Sequence, residues 1–216
     1  GAELRAFTEP EKFPVLPGML TGFNGVGQYN LGSWEGNPLN AYAGIICGLD
    51  VEDVVIYGGG TINGNASRQD WWGRKYSEVF RPRLFFLNHC KNVTLSGVKV
   101  CNSPSWTLHP YFSENVRFID LFIQNPADSP NTDGCDPESC TNVDILGVHF
   151  SVGDDCIAVK SGKIYMGKTY RQPSRNIRIR QCLMENGHGA VTLGSEMAGG
   201  ILDLTVEDCI FSHTDR

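Results

Sequence analysis

The chain is short of charge: Asp, Glu, Lys and Arg make up 19% of its 216 residues, below the share of about a quarter usual in soluble domains. Acid outweighs base, for a formal net charge of −6. The overall field therefore does not gather nucleic acid, and no basic helix with interleaved aromatics occurs. No apolar run approaches the roughly 18 residues that cross a bilayer. The opening GAELRAFTEP has neither a basic start nor a hydrophobic stretch, so neither a membrane partner nor a targeting signal is legible. No CxxC pair occurs, and Cys135 and Cys140 lack a nearby HxxxH partner, which argues against a zinc site. The eight cysteines (Cys47, Cys90, Cys101, Cys135, Cys140, Cys156, Cys182 and Cys209) are even in number, but a chain of this size needs no disulfide framework, and buried free thiols are expected. At 41% hydrophobic the chain can bury a core as one domain or at most two. Its 25 glycines and 11 prolines favour strands and turns.

One phrase recurs: an Asn or Asp, then alternating apolar residues, then a polar turn. It begins at Asp53, Asn92, Asn115, Asn142, Asn176 and Asp203, at intervals of 39, 23, 27, 34 and 27 residues. Each copy reads as a short strand with one apolar face, which it can bury only against its neighbours. The intervals are rich in Gly, Pro, Ser and Asn and show no 3.6-residue period, so helix-containing repeats do not fit. A parallel β-solenoid does, with coils stacked about 4.8 Å apart. The recurring Asn is suited to an amide ladder at a left-handed turn. An antiparallel sandwich also has many short strands, but it does not explain the repeated Asn-Val start.

The same register gathers chemistry. Asp154 lies twelve residues after Asn142 and His188 twelve after Asn176, which puts them on neighbouring rungs. Asp155 follows Asp154, and Asp133 sits in the long turn of the preceding coil. For Asp154 and Asp155 to serve one cleft they must occupy a bend, which Gly153 makes plausible. Crowded carboxyls cannot all ionise, so one keeps its proton near neutral pH, as glycoside hydrolysis requires of its acid. Between Lys160 and Arg180 stand seven basic residues and no acid, which suggests an anionic sugar. Arg178 and Arg180, alternating with isoleucines, read as outer face. Trp71 and Trp72 read as a cover over the end of the core, with sugar stacking as the alternative. His109 falls where the coil before Asp133 meets the same cleft, and it is a candidate for substrate contact. His89, His149 and His213 read as structural.

Asn131-Thr132-Asp133, Gly153-Asp154-Asp155 and Gly187-His188-Gly189, in this order, resemble the family 28 glycoside hydrolases, the polygalacturonases and their relatives. Asn102-Ser103-Pro104-Ser105-Trp106-Thr107-Leu108-His109-Pro110 and Ala158-Val159-Lys160-Ser161-Gly162 resemble the bacterial and plant branches. The resemblance implies a right-handed parallel β-helix and inverting hydrolysis of α-1,4-galacturonide links, with no metal or cofactor. It implies Asp154 as general acid, Asp133 and Asp155 as the pair that activates water, and His188 as the residue assisting Asp154. Asn131, His109 and Lys160 are the expected substrate-binding residues. Close carboxyls on adjacent rungs would lie nearer than the separation rule for inverting enzymes expects, and here the resemblance takes precedence over that rule.

Two departures stand out. Many fungal members join the Cys after Asp-Asp to a Cys four residues before the His, where this chain has Met184. The family's Arg-Ile-Lys motif and a later Tyr are absent. The expectation is therefore an N-terminal segment over 1–52 leading into a β-helix catalytic domain over 53–216 whose C-terminal coils are missing, so that this piece is inactive or nearly so and able to self-associate through its open end. The expected partner is a pectic polysaccharide or oligogalacturonide. Rhamnogalacturonan or xylogalacturonan hydrolysis, a calcium-dependent lyase and a non-catalytic polysaccharide-binding β-helix are the alternatives. The substrate class points weakly to a secreted or periplasmic setting, and a cytoplasmic one stays open.

Overall fold

In the computed structural model, which describes residues 1–21, 28–75 and 78–215, the recurring phrase is the start of a coil. Its copies form one parallel sheet in the order Glu52–Tyr57, Lys91–Ser96, Glu114–Ile119, Thr141–Leu146, Ser174–Arg180 and Ile201–Glu207. The apolar alternation stacks in register. Val93 lies against Val116, Val143 and Ile177, and Leu95 against Phe118, Ile145 and Ile179, all at most 2% exposed. The outward residues are solvated, as expected for Arg178 and Arg180, which reach Asp144 at 3.0 and 3.5 Å.

Two of the left-handed corners that recur at fixed offsets explain the rest of the phrase. The opening Asp or Asn has φ between 53° and 58° on all six coils. Five residues later Gly58, Gly97, Asp120, Gly147, Gln181 and Asp208 again take positive φ, a region that Gly, Asn and Asp enter at least cost. The opening amides do form a ladder: Asn92 donates to Asp53 at 2.9 Å, Asn115 to Asn92 at 3.0 Å, Asn142 to Asn115 at 2.9 Å and Asn176 to Asn142 at 2.7 Å. After the second corner the chain enters a second parallel sheet, Glu3–Arg5, Thr61–Asn63, Lys99–Cys101, Phe122–Gln124, His149–Ser151, Leu183–Asn186 and Ile210–Phe211. A bend then leads to a third.

The third sheet holds Ile46–Leu49, Phe85–Asn88 and Leu108–Tyr111. It continues through bridges at Cys135 and Glu138 to Ile157–Val159 and Val191–Leu193. Its strands show no alternation because both faces are covered. Phe85, Leu87 and Leu108 face the solenoid core. Phe86 and Tyr111 face outward into a smaller cluster with Leu16, Leu31, Ala43 and Met166. The winding is right-handed, the hand that parallel crossovers take.

One expectation needs correction. The boundary at 52/53 falls inside the solenoid, because Glu3–Arg5 pairs with Thr61–Asn63 and Ile46–Leu49 with Phe85–Asn88. The intervening N-terminal residues also blanket the third sheet. Among the described residues one α-helix occurs, Ile164–Tyr170. It buries only Met166 and Gly167, too short a face to leave a periodic signal. All eight cysteines are free and six are buried. Trp71 has no exposed surface and packs edge-on to Phe13 at 5.4 Å, a core cover.

The ladder predicts its own mutational signature. Asn115→Ala should lower unfolding free energy by about 1–2 kcal/mol, because alanine pays the left-handed penalty and cannot bridge its neighbours. Asn115→Gly should lose less, since glycine removes only the hydrogen bonds. Equal losses in denaturant melts would mean that backbone conformation is not the main contribution.

Candidate active site

The bend between the second and third sheets, repeated on three successive coils, brings the acidic residues together. Asp133 precedes the bridge residue Cys135, Asp154 and Asp155 separate His149–Ser151 from Ile157–Val159, and His188 separates Leu183–Asn186 from Val191–Leu193. A bulge intervenes in this region. Phe150 pairs with Met184 but Ser151 with Asn186, and the register is restored where Ile157 pairs with Val191. The slip cancels across the bend, and the His188 N–H donates to the Asp154 carbonyl at 2.9 Å.

Glycines here serve close approach. A Cβ at Gly153 would lie 2.4 Å from the Pro126 carbonyl oxygen, and one at Gly189 would lie 2.6 Å from Asp155 Oδ1, distances that packed atoms do not tolerate. Gly153 is thus required by its neighbours and not, as the sequence suggested, by its freedom to bend.

Oxygen atoms of Asp133, Asp154 and Asp155 lie within 4.8 Å of one another. His188 Nδ1 is 3.3 Å from Asp154 Oδ1, which also accepts the Asp155 backbone N–H at 3.0 Å. These carboxylates open onto a cleft of about 670 Å³ whose walls include Glu35, Trp106, Asn131, Lys163, Thr192, Ser195 and Glu196.

Beneath the carboxylates the site is dry and highly charged. Lys160, 4% exposed, reaches Glu196 at 3.0 Å, Asp136 at 3.6 Å and Asp133 at 3.9 Å, with its ammonium 4.6 Å from the centre of the Trp106 ring. Burial alone would discharge it, but these three acids more than offset that, so it stays protonated. Burial pushes the Asp133 carboxyl from 3.8 up to about 7, with Lys160 opposing and the charges of Asp154 and Asp155 adding to the rise. Burial also lifts Asp136 well above the carboxylate range, reinforced by Asp133, and lifts Glu138 to about 7. At Glu196 burial pulls upward, but the Lys160 ion pair and hydrogen bond prevail and hold it low. Arg83, buried and pushed down to about 10 by desolvation, lies 4.9 Å from both the Trp34 and Trp106 rings.

The expected substrate contacts are distributed unevenly. Asn131 lines the cleft and is held by Arg81, which donates to its Oδ1 at 2.6 Å. Lys160 reaches the cleft only as a sealed counter-ion, because three carboxylates surround its ammonium. His109 is a correction: it has no exposed surface, and its Nε2 lies 3.0 Å from Glu138 Oε2. Burial, with Arg83 and Lys160 nearby, keeps it neutral. It points to the covered outer face of the third sheet, out of reach of a ligand. Of the seven basic residues between 160 and 180, only Lys160 and Lys163 line the cleft. Lys163 sits at the rim, 3.6 Å from Glu35. Asp136, Glu138, Glu196, Arg83 and Glu35 were missed. Asp136 and Glu138 alternate after Asp133, but such alternation reads as solvated until the covering layer is known.

The raised ionisation of Asp133 has a consequence for stability. The unfolded state releases this proton near 3.8 and the folded state at about 7. Between those values only unfolding frees it, so the group costs stability that is nil below about pH 4, grows up to about pH 7 and is constant above. Asp133→Asn should therefore gain melting temperature over the wild type as pH rises through that window. A difference that stays flat from about pH 4 to 8 would contradict the burial argument.

Comparison with known proteins shows the family and the fold. Residues 10–216 match the family described as Glycosyl hydrolases family 28. The chain is 40% identical over 179 residues to a protein of Vitis vinifera described as "Probable polygalacturonase", covering 81% of this chain and 36% of that one. It is 36% identical over 173 residues to an endo-polygalacturonase of Pectobacterium carotovorum subsp. carotovorum, covering 74% and 40%. Among solved structures, an exopolygalacturonase from Thermotoga maritima superposes with a TM-score of 0.78 at 27% identity, over 97% of this chain and 55% of that one. The polygalacturonase from Erwinia carotovora ssp. carotovora gives 0.72 at 28%, over 98% and 54%. The chain thus spans 36% and 40% of the lengths of these two curated relatives. With its motifs in register on stacked coils and its sequence matched almost from end to end, the chain belongs to glycosyl hydrolase family 28.

Proposed function

We propose that the cleft hydrolyses α-1,4-galacturonide links of pectic polysaccharide with inversion at the anomeric carbon. The observation that carries this reading is the set of three carboxylates with oxygens within 4.8 Å and His188 against Asp154. Such a set shares its protons, and its ionisations belong to the group as a whole. Because burial holds Asp133 at about 7, the set still carries a proton near neutral pH, as a general acid must. We assign the donation to Asp154, whose side chain is 25% exposed beside His188. Asp133 and Asp155 orient and deprotonate the attacking water, and Asn131 and Lys163 on the cleft wall meet the sugar.

The carboxylate spacing by itself would favour retention, since inverting enzymes usually separate the two groups by about 6.5–9.5 Å. The names of the relatives support a galacturonide link, and the family resemblance implies inversion. Proton NMR of the first product distinguishes the two: inversion of an α link yields the β anomer.

The full-length protein should release reducing ends from polygalacturonate, unaffected by chelator and without the ultraviolet-absorbing unsaturated product of a lyase, and faster than from rhamnogalacturonan. Asp154→Asn should lower kcat by about 100-fold or more with the fold intact. A variant retaining more than about a tenth of the wild-type rate would remove Asp154 from the acid role.

A further inference from the structure

Asp136 is the more deeply buried carboxyl of the pair it forms with Asp133, and its oxygens are poorly satisfied. It has no exposed surface, and neither of its carboxyl oxygens has a hydrogen-bond partner. Its contact to Lys160, at 3.6 Å, is longer than the 3.0 Å that Lys160 makes to Glu196. Asp133 Oδ1, beside it, is likewise buried without a partner. An ionised carboxylate can only accept, so two ionised groups here would leave three oxygens unsatisfied and two like charges in contact. The charge count agrees. Asp133, Asp136 and Glu196 share the single ammonium of Lys160, three acids to one cation, while His109 is neutral.

We propose that Asp136 is a protonated positioning residue, whose carboxylic O–H donates to Asp133 and holds that carboxylate toward Asp154 and Asp155 while Lys160, anchored on Glu196, balances its charge. One proton removes the like-charge contact and gives a partner both to Asp133 Oδ1 and to the Asp136 oxygen that carries it. Asp136 faces Asp133, Lys160 and Glu196, and in this desolvated setting the proton stays with it, the more deeply buried acid. The hydrogen bond in turn favours the charged form of Asp133, the form that activates water. The catalytic consequence rests on the proposed hydrolysis, but the protonation does not.

Carbon-13 NMR of the aspartate carboxyls reads the protonation directly. The expected result is one aspartic acid still protonated at about pH 8.5, absent from the spectrum of Asp136→Asn. If every aspartate is ionised at that pH, or if the protonated signal survives in Asp136→Asn, the inference fails. Kinetics on polygalacturonate read the positioning. Asp136→Asn keeps an N–H donor and should stay within about tenfold of the wild-type kcat with its acidic pH limb in place, whereas Asp136→Leu should lose about 30-fold or more in kcat at unchanged KM. Equal losses in the two variants, or full activity of Asp136→Leu, would overturn the donor role. Should Asp136→Leu not fold, the spectrum of the amide variant still decides. Should the full-length protein release no reducing ends, the hydrolase reading fails and the NMR result alone judges the shared proton.

Discussion

Asp133, Asp154, Asp155 and His188 are held together by the rung-to-rung register of the parallel sheets. Val93, Val116, Val143 and Ile177 stack because one residue per coil occupies the same inward position, and a slip of one residue would turn that whole row outward. The left-handed corners at Asn92, Asn115, Asn142 and Asn176 recur at the same place on successive coils and, with the amide ladder that joins them, pin the register. Once the corners are aligned, the bends that follow the second sheet are aligned too. Residues distant in sequence then stand one rung apart, Asp133 beside Asp155 and Asp154 beside His188.

What the register assembles, electrostatics opposes. Carboxyls crowded on a half-buried ledge repel one another and resist desolvation, and the fold meets this in two ways. One is a single buried ammonium, Lys160, in contact with Asp133, Asp136 and Glu196. The other is retention of protons, which costs stability above the ordinary carboxylate range. Regular stacking of the aliphatic rows and the amide ladder supplies the stability that the ledge lacks. This division between a regular, self-reinforcing scaffold and a frustrated functional edge is common in enzymes.

The N-terminal residues contribute more than a lead-in. By covering the outer face of the third sheet they convert that face from surface to interior, and the polar residues on it, His109, Asp136, Glu138 and Lys160, become buried groups with altered ionisation. Lys160, enclosed by Asp133, Asp136, Glu196 and the Trp106 ring, is the counter-charge of the cleft. The Trp34 to Asn37 bridge places Glu35 at the rim opposite Lys163, so the same segment also shapes the opening.

Much of this was present in the sequence, because a solenoid repeats its instructions. Period-two apolar residues specified the inward rows, the Asn or Asp start and the Gly, Asp or Gln five residues later specified the corners, and the count of twelve from Asn142 and Asn176 set Asp154 beside His188. Each of these signals is local and periodic. Three features were decided only by tertiary structure. The third sheet is covered on both faces, which erases the alternation in Phe85–Asn88 and Leu108–Tyr111 and hides the boundary of the N-terminal segment. The glycines flanking His188 and preceding Asp154 answer to atoms on other coils, which no local pattern records. Ionisation followed burial, and burial depended on residues some 30 to 130 positions away in the chain: His109 was sealed from the cleft, and Asp136, unremarkable in sequence, was enclosed beside Asp133 because distant segments close over it.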